Sequence, residues 1–256
     1  MGFDVPADAY AQFMGRWSES LAVRLADRLE LRRGMRALDV GCGPGALTAV
    51  LVDRLGADAV SAVEPSASFV EAARARLPEV DVRHAAAEDL PFDTSSFDRA
   101  AAQLVVHFMA DPVQGLREMA RVVRPGGLVA ASVWDYASGT SPLSTFWTTV
   151  ARLDPATTDE SGSAGAREGE LAELMTSAGL SDIESLRLEV TSRFASLDEW
   201  WRPYTYGVWP AGEYVARLDE RRRAELRDVC AALLPDPPFE LSAGAWAALG
   251  RVTQPA

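Results

Sequence analysis

The sequence predicts an α/β fold in which helices flank a mostly parallel sheet. Short apolar runs that suit buried strands alternate with amphipathic stretches of helical length over residues 9–134. Glycine-rich turns join these segments, one at 41–45 between the first strand and a helix, and another at 126–127 before the fifth strand. Such alternation implies right-handed crossover connections between parallel strands.

Local patterns predict the individual elements. Leu21, Leu25 and Leu29 recur at four-residue spacing, which predicts a helix over 9–30. The other predicted helices cover 46–55, 66–77, 112–123, 170–178 and 213–234. The first predicted strand is short and ends just before the first glycine turn. The other predicted strands cover 59–64, 80–84, 99–103, 128–134, 183–194 and 239–252. Residues 154–170, rich in glycine, serine and acidic residues, predict a mobile surface loop.

The first glycine turn has the features of a ligand-binding loop. Gly41, Gly43 and Gly45 carry no Cβ atoms that would keep a ligand away from the backbone, and the next helix directs free N–H groups to the same place. The turn fits the glycine pattern of a dinucleotide-binding site, because residues 41–46 read Gly-x-Gly-x-x-Ala. An acidic residue about 20 positions further on, here Glu64, is also typical of such a site. Asp39, however, would repel a diphosphate and attract an ammonium group or hydroxyls. A glycine turn without a ligand is the third interpretation.

The segment Asp39-Val40-Gly41-Cys42-Gly43-Pro44-Gly45 resembles motif I, D-x-G-C-G-x-G, of class I S-adenosylmethionine (SAM)-dependent methyltransferases. The resemblance implies that Asp39, Gly41, Cys42, Gly43 and Gly45 bind the cofactor SAM. Because SAM has no phosphate and its methionine amino group is a cation, SAM is favoured over NAD. The resemblance also implies the Rossmann-like fold of that family, with seven strands of which the last is antiparallel, in one domain over 1–256.

The ends of two further strands extend the predicted cofactor site. Glu64 ends the second strand and precedes Pro65, where a carboxylate can accept hydrogen bonds from a ribose diol. Residues 97–112, which include the fourth strand, resemble an F-D-…-L-H-H-…-D-P stretch of the family. That resemblance implies that Gln103 and Leu104 border the methionine and the sulfonium.

Residues 85–92 resemble the family's G-D-A-E-D-L-P-F stretch, which holds the adenine ring. Alanine replaces the expected aspartate at the second position. The resemblance then implies that Glu88, Asp89 or the backbone of Ala87 contacts the adenine. Glu88 is the preferred candidate.

The N-terminal segment resembles a Y-x-x-F-M-G-R-W stretch that folds over the cofactor in small bacterial methyltransferases. The resemblance implies a helical lid over 1–33, above a SAM-binding core over 34–135. Tyr10 and Arg16 would close on the methionine carboxylate, a role that suits a guanidinium group. The alternative is a surface arginine at the start of a helix.

An aromatic cluster in the second half predicts the acceptor pocket. It belongs to a predicted helical cap, an insertion over 196–236 between the last two strands. Large aromatic rings offer apolar contact area and lose little conformational entropy when they are held in place. They therefore suit a pocket for a planar or hydrophobic ligand. Ordinary core packing explains the cluster equally well. The predicted acceptor-binding residues are Tyr136, Phe146, Trp147, Trp200, Trp201 and Tyr204.

His107 is the candidate general base. It follows the fourth strand, and an imidazole of ordinary pKa can take a proton from an acceptor near neutral pH. Phe108 and Met109 beside it indicate a buried position, so packing in the core is the favoured alternative.

Composition narrows the range of partners. The net charge is −12, all 25 basic residues are arginine, and there is no extended basic stripe, so nucleic acid is not expected as a partner. No apolar run approaches a membrane span and the N-terminus does not resemble a signal peptide, which predicts a cytoplasmic protein that does not bind membranes. The two cysteines are not expected to form a disulfide framework, and no metal site is predicted.

Missing residues exclude several methyltransferase subclasses. Residues 103–106 are Gln-Leu-Val-Val, not the [N/D/S]-P-P-[Y/F] loop of DNA amino-methylation, and RNA 2′-O-methylation by a catalytic lysine requires a residue that this chain lacks. The sequence thus predicts a SAM-dependent methyltransferase that modifies an O, N or C atom of a small molecule. The alternatives are an NAD(P)-dependent oxidoreductase and a SAM-binding protein without methyl transfer.

Overall fold

The computed structural model describes residues 11–207 and 209–253. Seven strands form one sheet in the order β3-β2-β1-β4-β5-β7-β6. Neighbouring strands are parallel from β3 to β5, and β7 runs antiparallel to both β5 and β6. The strands are β1 (Ala37–Val40), β2 (Val60–Glu64), β3 (Asp81–His84), β4 (Phe97–Gln103), β5 (Val123–Trp134), β6 (Ser181–Phe194) and β7 (Phe239–Arg251). The predicted mostly parallel sheet with an antiparallel last strand is confirmed.

Helices cover the sheet and fill the connections between strands. They are α1 (Arg16–Arg28), α2 (Ala46–Leu55), α3 (Ala67–Arg76), α4 (Pro112–Val122), α5 (Ser144–Leu153), α6 (Glu170–Ser177), α7 (Leu197–Trp201), α8 (Trp209–Arg217) and α9 (Glu220–Leu233). A π-helical turn, Ala11–Gly15, precedes α1. In the part of the chain that the structure describes, no helix combines the length and apolarity needed to cross a membrane.

Three sequence predictions about elements are wrong. The helix expected over 213–234 is two helices, because Asp219 caps α9 by accepting a hydrogen bond from the backbone N–H of Arg222 at 2.8 Å. Strand β5 begins at Val123, which pairs with Phe97 ahead of the glycine turn. The segment 154–170 is not wholly a surface loop, because it holds a 3₁₀ turn at Glu160–Gly162 in which Glu160 is buried.

The order of the strands brings the predicted cofactor-binding residues to one edge of the sheet. The chain reverses its direction of winding between β1 and β4, and the carboxyl ends of these two strands form the crevice where ligands bind in open α/β sheets. Asp39 and the glycine turn lie at the end of β1, and Gln103 ends β4. Glu64 ends the adjacent strand β2. Local patterning of each strand thus brings residues that are distant in sequence to one edge.

Candidate active site

Asp39 is a buried carboxyl group at the end of β1. Only 1% of its surface is exposed, and Oδ2 accepts a hydrogen bond from the hydroxyl of Thr48 at 2.6 Å. Burial raises the pKa of Asp39 to about 7, against the lowering effect of Thr48, and the charge of Glu64 raises it further. The group is therefore poised between its charged and neutral forms near neutral pH, and a cation placed beside it would favour the charged form.

Glu64 connects the glycine turn to the end of β2. Its Oε2 accepts a hydrogen bond from Gly43 N and its Oε1 accepts one from Ser66 N, each at 2.9 Å. Burial raises the pKa of Glu64, while the two backbone donors lower it. A carboxylate oxygen has two lone pairs, so each oxygen can still accept a further hydrogen bond.

The three glycines of the turn all have positive φ, but they meet different surroundings. Gly41 has φ +71°, and a Cβ there would lie 2.5 Å from both methyl groups of Val105. Gly43 has φ +53°, and a Cβ there would meet nothing within 4 Å. The open side of the turn is thus at Gly43. Cys42, between them, is buried, and burial raises the pKa of its thiol, so the group is protonated and unreactive.

The end of β4 combines unsatisfied polar atoms with backbone strain. The Gln103 side-chain amide donates to Ser18 O at 3.0 Å, whereas Gln103 Oε1 and Ser18 Oγ are buried and have no partner among the described residues. Leu104 has φ +60°, a conformation that costs a non-glycine residue on the order of 1–3 kcal/mol and that clusters at functional sites. Its N–H donates to Ser132 O at 2.8 Å. These features support a ligand role for the segment that the sequence singled out.

Arg16 connects α1, in the predicted lid, to Glu199 of α7, in the predicted cap. Its guanidinium donates to Arg193 O at 2.8 Å and to Glu199 Oε1 at 2.7 Å, and it lies 4.6 Å from the centre of the Phe194 ring. A cavity of about 360 Å³ adjoins these groups and the glycine turn. The predicted role of Arg16 toward a ligand carboxylate stays a prediction, since part of its donor set pairs with Glu199. Its predicted partner Tyr10 lies outside the described residues.

The predicted adenine-binding residues are divided among different environments. Ala87 is buried, while Asp89 is exposed. Pro65, which is predicted to bind the cofactor beside Glu64, is exposed as well. Glu88 Oε1 accepts hydrogen bonds from Ala110 N at 2.8 Å and from the following N–H at 3.3 Å, which secures the start of α4. Glu88 thus has a structural partner that its sequence motif did not indicate.

His107 is not suited to act as a general base. Both ring nitrogens are buried without a hydrogen-bond partner among the described residues, and the ring packs against Phe108 and Tyr136 with centroid distances of 3.8 and 6.0 Å. Burial lowers the pKa of His107 to about 3. An imidazole of such low basicity gains almost no proton at neutral pH, so the structure corrects the general-base hypothesis in favour of packing.

The predicted acceptor residues form two groups. All six are buried, and Tyr204 is the centre of the first group. Its ring stacks on Phe146 at 4.6 Å and contacts Trp200 at 4.9 Å and Trp201 at 5.8 Å. The second group, Tyr136 and Trp147, lines a cavity of about 400 Å³. Glu160 lines the same cavity. No sequence pattern indicates a site role for Glu160, because it stands in a segment with the composition of a loop.

Comparison with known proteins agrees with this geometry. Residues 38–131 match a family model described as a methyltransferase domain. The chloroplastic 2-methyl-6-phytyl-1,4-hydroquinone methyltransferase 2 of Oryza sativa subsp. japonica is 30% identical over 177 residues, which are 68% of this chain and 47% of that protein. The chain spans about a third to a half of the length of the curated relatives it matches.

Solved structures share the fold across most of the chain. The phosphoethanolamine N-methyltransferase 2 of Haemonchus contortus, in complex with S-adenosyl-L-methionine, has a TM-score of 0.57 at 18% identity and covers 97% of this chain and 57% of its own. The YcgJ protein of Bacillus subtilis has a TM-score of 0.57 at 20% identity and covers 92% of this chain and 99% of its own. The chain therefore has the class I methyltransferase fold, and its residues 38–131 match the model of a methyltransferase domain.

Proposed function

We propose that the chain transfers a methyl group from S-adenosylmethionine to an oxygen, nitrogen or carbon atom of a small molecule. The observation that carries the proposal is the placement of two buried carboxyl groups, Asp39 and Glu64, on either side of an open glycine turn. The family match over 38–131 supports methyl transfer. The name of the rice relative designates a hydroquinone methyltransferase, which supports a small-molecule acceptor.

The chemistry of the described residues fits SAM. Asp39 is buried with Thr48 as its side-chain donor, so an ammonium group would supply the missing counter-charge. Glu64 keeps lone pairs for a ribose diol, and Gln103 Oε1 is a buried acceptor without a partner in the described chain. A diphosphate, in contrast, would meet two carboxylates. When bound, SAM supplies an electrophilic methyl group on a sulfonium.

In the proposed reaction, the protein would hold the two substrates in position and exclude water from the site. Asp39 would hold the amino group and Glu64 the ribose hydroxyls, while Gln103 and Leu104 would border the sulfonium. The predicted lid, whose Phe13 contacts Tyr204, and the aromatic residues around Tyr204 would shield this edge of the sheet from solvent. Alignment of the reacting atoms accelerates transfer, and a base is needed only for an acceptor that ionises poorly.

Calorimetry with SAM and with NAD tests the cofactor assignment. SAM is expected to bind and NAD is not, and Glu64→Ala is expected to weaken SAM by roughly 1.5–3 kcal/mol, about tenfold or more, because a charged hydrogen bond is lost. Glu71→Ala, an exposed carboxylate on α3, is the matched control and should bind SAM as the parent protein does. Equal affinity for SAM in both variants would overturn the assignment of Glu64. Release of S-adenosylhomocysteine on adding phenols or amines separates transfer from SAM binding alone.

Arg16→Ala is expected to weaken SAM by about tenfold and 5′-methylthioadenosine hardly at all, because only SAM carries the carboxylate that Arg16 would bind. The unfolding free energy should change by less than about 1 kcal/mol, since the Arg16–Glu199 pair is more than one-third exposed on each side. Calorimetry with the two compounds measures the difference. Glu199→Gln is the control, because it breaks the same ion pair and leaves the guanidinium free. Equal weakening of both compounds by Arg16→Ala would show that the carboxylate is bound elsewhere.

A further inference from the structure

The cavity of about 400 Å³ lies between α5, the loop that follows β5, and the 3₁₀ turn at Glu160–Gly162. Tyr136 and Trp147 give it aromatic walls, and serine and threonine hydroxyls surround them. Its size is within the range of pockets for small molecules. Such a mixture of flat apolar walls and a few polar groups is typical of a small-molecule site.

Glu160 is the unusual member of this lining. Its surface is 9% exposed, and neither carboxyl oxygen accepts a hydrogen bond from a described residue. The backbone N–H of Glu160 and, more weakly, Trp147 Nε1 lie near enough to favour the ionised form, but both are outside hydrogen-bond geometry. Trp147 Nε1 is itself buried without a partner among the described residues. The neighbouring Asp159 differs, because it accepts a hydrogen bond from Ser161 N at 3.0 Å. Glu160 is therefore a buried acceptor that has no partner with hydrogen-bond geometry among the described residues.

An unpaired buried carboxyl group destabilises a folded protein. Desolvation without a compensating hydrogen bond is unfavourable for either form of the group, and more so for the charged form. Burial accordingly raises the pKa of Glu160 to about 7, and the charge of Asp159 raises it further. Buried unsatisfied groups of this kind call for an explanation, and a ligand in the adjoining cavity supplies one.

The position of the cavity relates it to the cofactor edge. Tyr136 follows the carboxyl end of β5, and its ring contacts His107, which follows the carboxyl end of β4. Gln103 and Leu104 lie at that same end of β4. Tyr136 thus connects the wall of the cavity, through its contact with His107, to the end of β4 that carries the residues proposed to border the sulfonium.

We propose that this cavity binds the methyl acceptor and that Glu160 accepts a hydrogen bond from a hydroxyl or amino group of that acceptor. The proposal rests on the methyltransferase function proposed above. Carboxyl groups of Asp159 and Glu160 share the lining with only one basic residue, Arg152, so an anionic acceptor is disfavoured. The acceptor class is therefore a small, flat molecule that carries a hydrogen-bond donor.

The test compares Glu160→Met, which keeps the shape and removes the acceptor, with Glu160→Gln, which keeps an uncharged acceptor. Phenol, benzylamine and toluene serve as probes with a hydroxyl, an ammonium and no donor. Their binding is followed by the NMR shift of the Trp147 indole N–H, assigned with Trp147→Phe. The parent protein is expected to bind phenol or benzylamine about tenfold more tightly than toluene, and Glu160→Met is expected to abolish that preference. If Glu160→Gln still binds the donor-bearing probe more tightly than toluene, the group that Glu160 binds is a hydroxyl. If Glu160→Gln loses this preference, the group is an amine.

Thermal melting separates a binding role from a structural one. Glu160→Met is expected to raise the melting temperature or leave it unchanged, because an unpaired buried carboxyl is replaced by an apolar group. Glu168→Gln, an exposed residue of the same segment, is the charge control and should alter neither melting nor probe binding. Equal binding of all three probes by the parent protein, or a lower melting temperature with unchanged probe binding in Glu160→Met, would overturn the proposal.

SAM titrations keep this inference separate from the proposed function. Glu160→Met is expected to bind SAM as the parent protein does, since Glu160 lies outside the glycine turn and its carboxylates. Failure of the parent protein to bind SAM would remove the methyltransferase proposal itself. SAM binding without any effect of Glu160 on the probes would remove only the acceptor assignment.

Discussion

Replacing Gly41 with alanine is expected to lower the free energy of unfolding by about 2–5 kcal/mol. The left-handed φ of +71° costs an L-residue roughly 1–2 kcal/mol. The new Cβ would also lie 2.5 Å from both Val105 methyl groups, and overpacking of this kind typically costs about 1–3 kcal/mol. Chemical denaturation of the two proteins measures the difference.

Gly43→Ala is the matched control for this prediction. Its φ is also positive, but a Cβ there meets open space, so only the conformational cost of about 1–2 kcal/mol is expected. The double variant Gly41→Ala/Val105→Ala should recover the packing part of the loss. Equal destabilisation by Gly41→Ala and Gly43→Ala would show that contact with Val105 has no energetic effect.

Raising the pH from about 4 to about 7 is expected to lower the unfolding free energy by up to about 4 kcal/mol through Asp39 alone. The pKa of Asp39 rises from 3.8 to about 7 on folding, and each unit corresponds to about 1.4 kcal/mol. Because the folded state holds this proton more tightly than the unfolded state, the stabilisation is full below pH 4. It is lost as the pH rises through 7. Glu160, whose pKa is also raised to about 7, contributes in the same direction.

Denaturation of Asp39→Asn across the same pH range isolates this contribution. The amide still accepts the Thr48 hydrogen bond but does not titrate, so the fall in stability with pH should be several kcal/mol smaller than in the parent protein. Asp53→Asn, a carboxylate on the exposed side of α2, should keep the full pH dependence. A parent-like pH profile in Asp39→Asn would mean that the carboxyl is solvated in the folded protein.

The sequence predicted the sheet and the cofactor edge because both are specified locally. Alternating apolar runs fix strands, and the glycines after Asp39 fix the turn whatever surrounds them. Glu64 followed from its position at the end of a strand. The division between α8 and α9 was missed, although the cap at Asp219 is a local signal, because the helical pattern on either side was read as continuous.

The remaining features depend on contacts between distant parts of the chain. Arg16 meets Glu199 across 183 residues, and no pattern near either residue indicates the other. The low basicity of His107 results from its enclosure by packing, which its neighbours in sequence only suggest. Glu160 stands in a segment with the composition of a loop, and its burial becomes evident only when α5 and the loop after β5 are in place.

The contacts of Tyr204 have a kinetic consequence. Its ring meets Phe13, in the segment predicted to form a lid, at 5.2 Å and stacks on Phe146. The Phe146 ring contacts Trp147, in the wall of the cavity proposed to bind the acceptor, at 5.1 Å. If the predicted lid moves to admit SAM, its movement would therefore disturb the wall that is proposed to receive the acceptor. Bi-substrate kinetics should accordingly show a compulsory order, with the acceptor entering last and the methylated product leaving first.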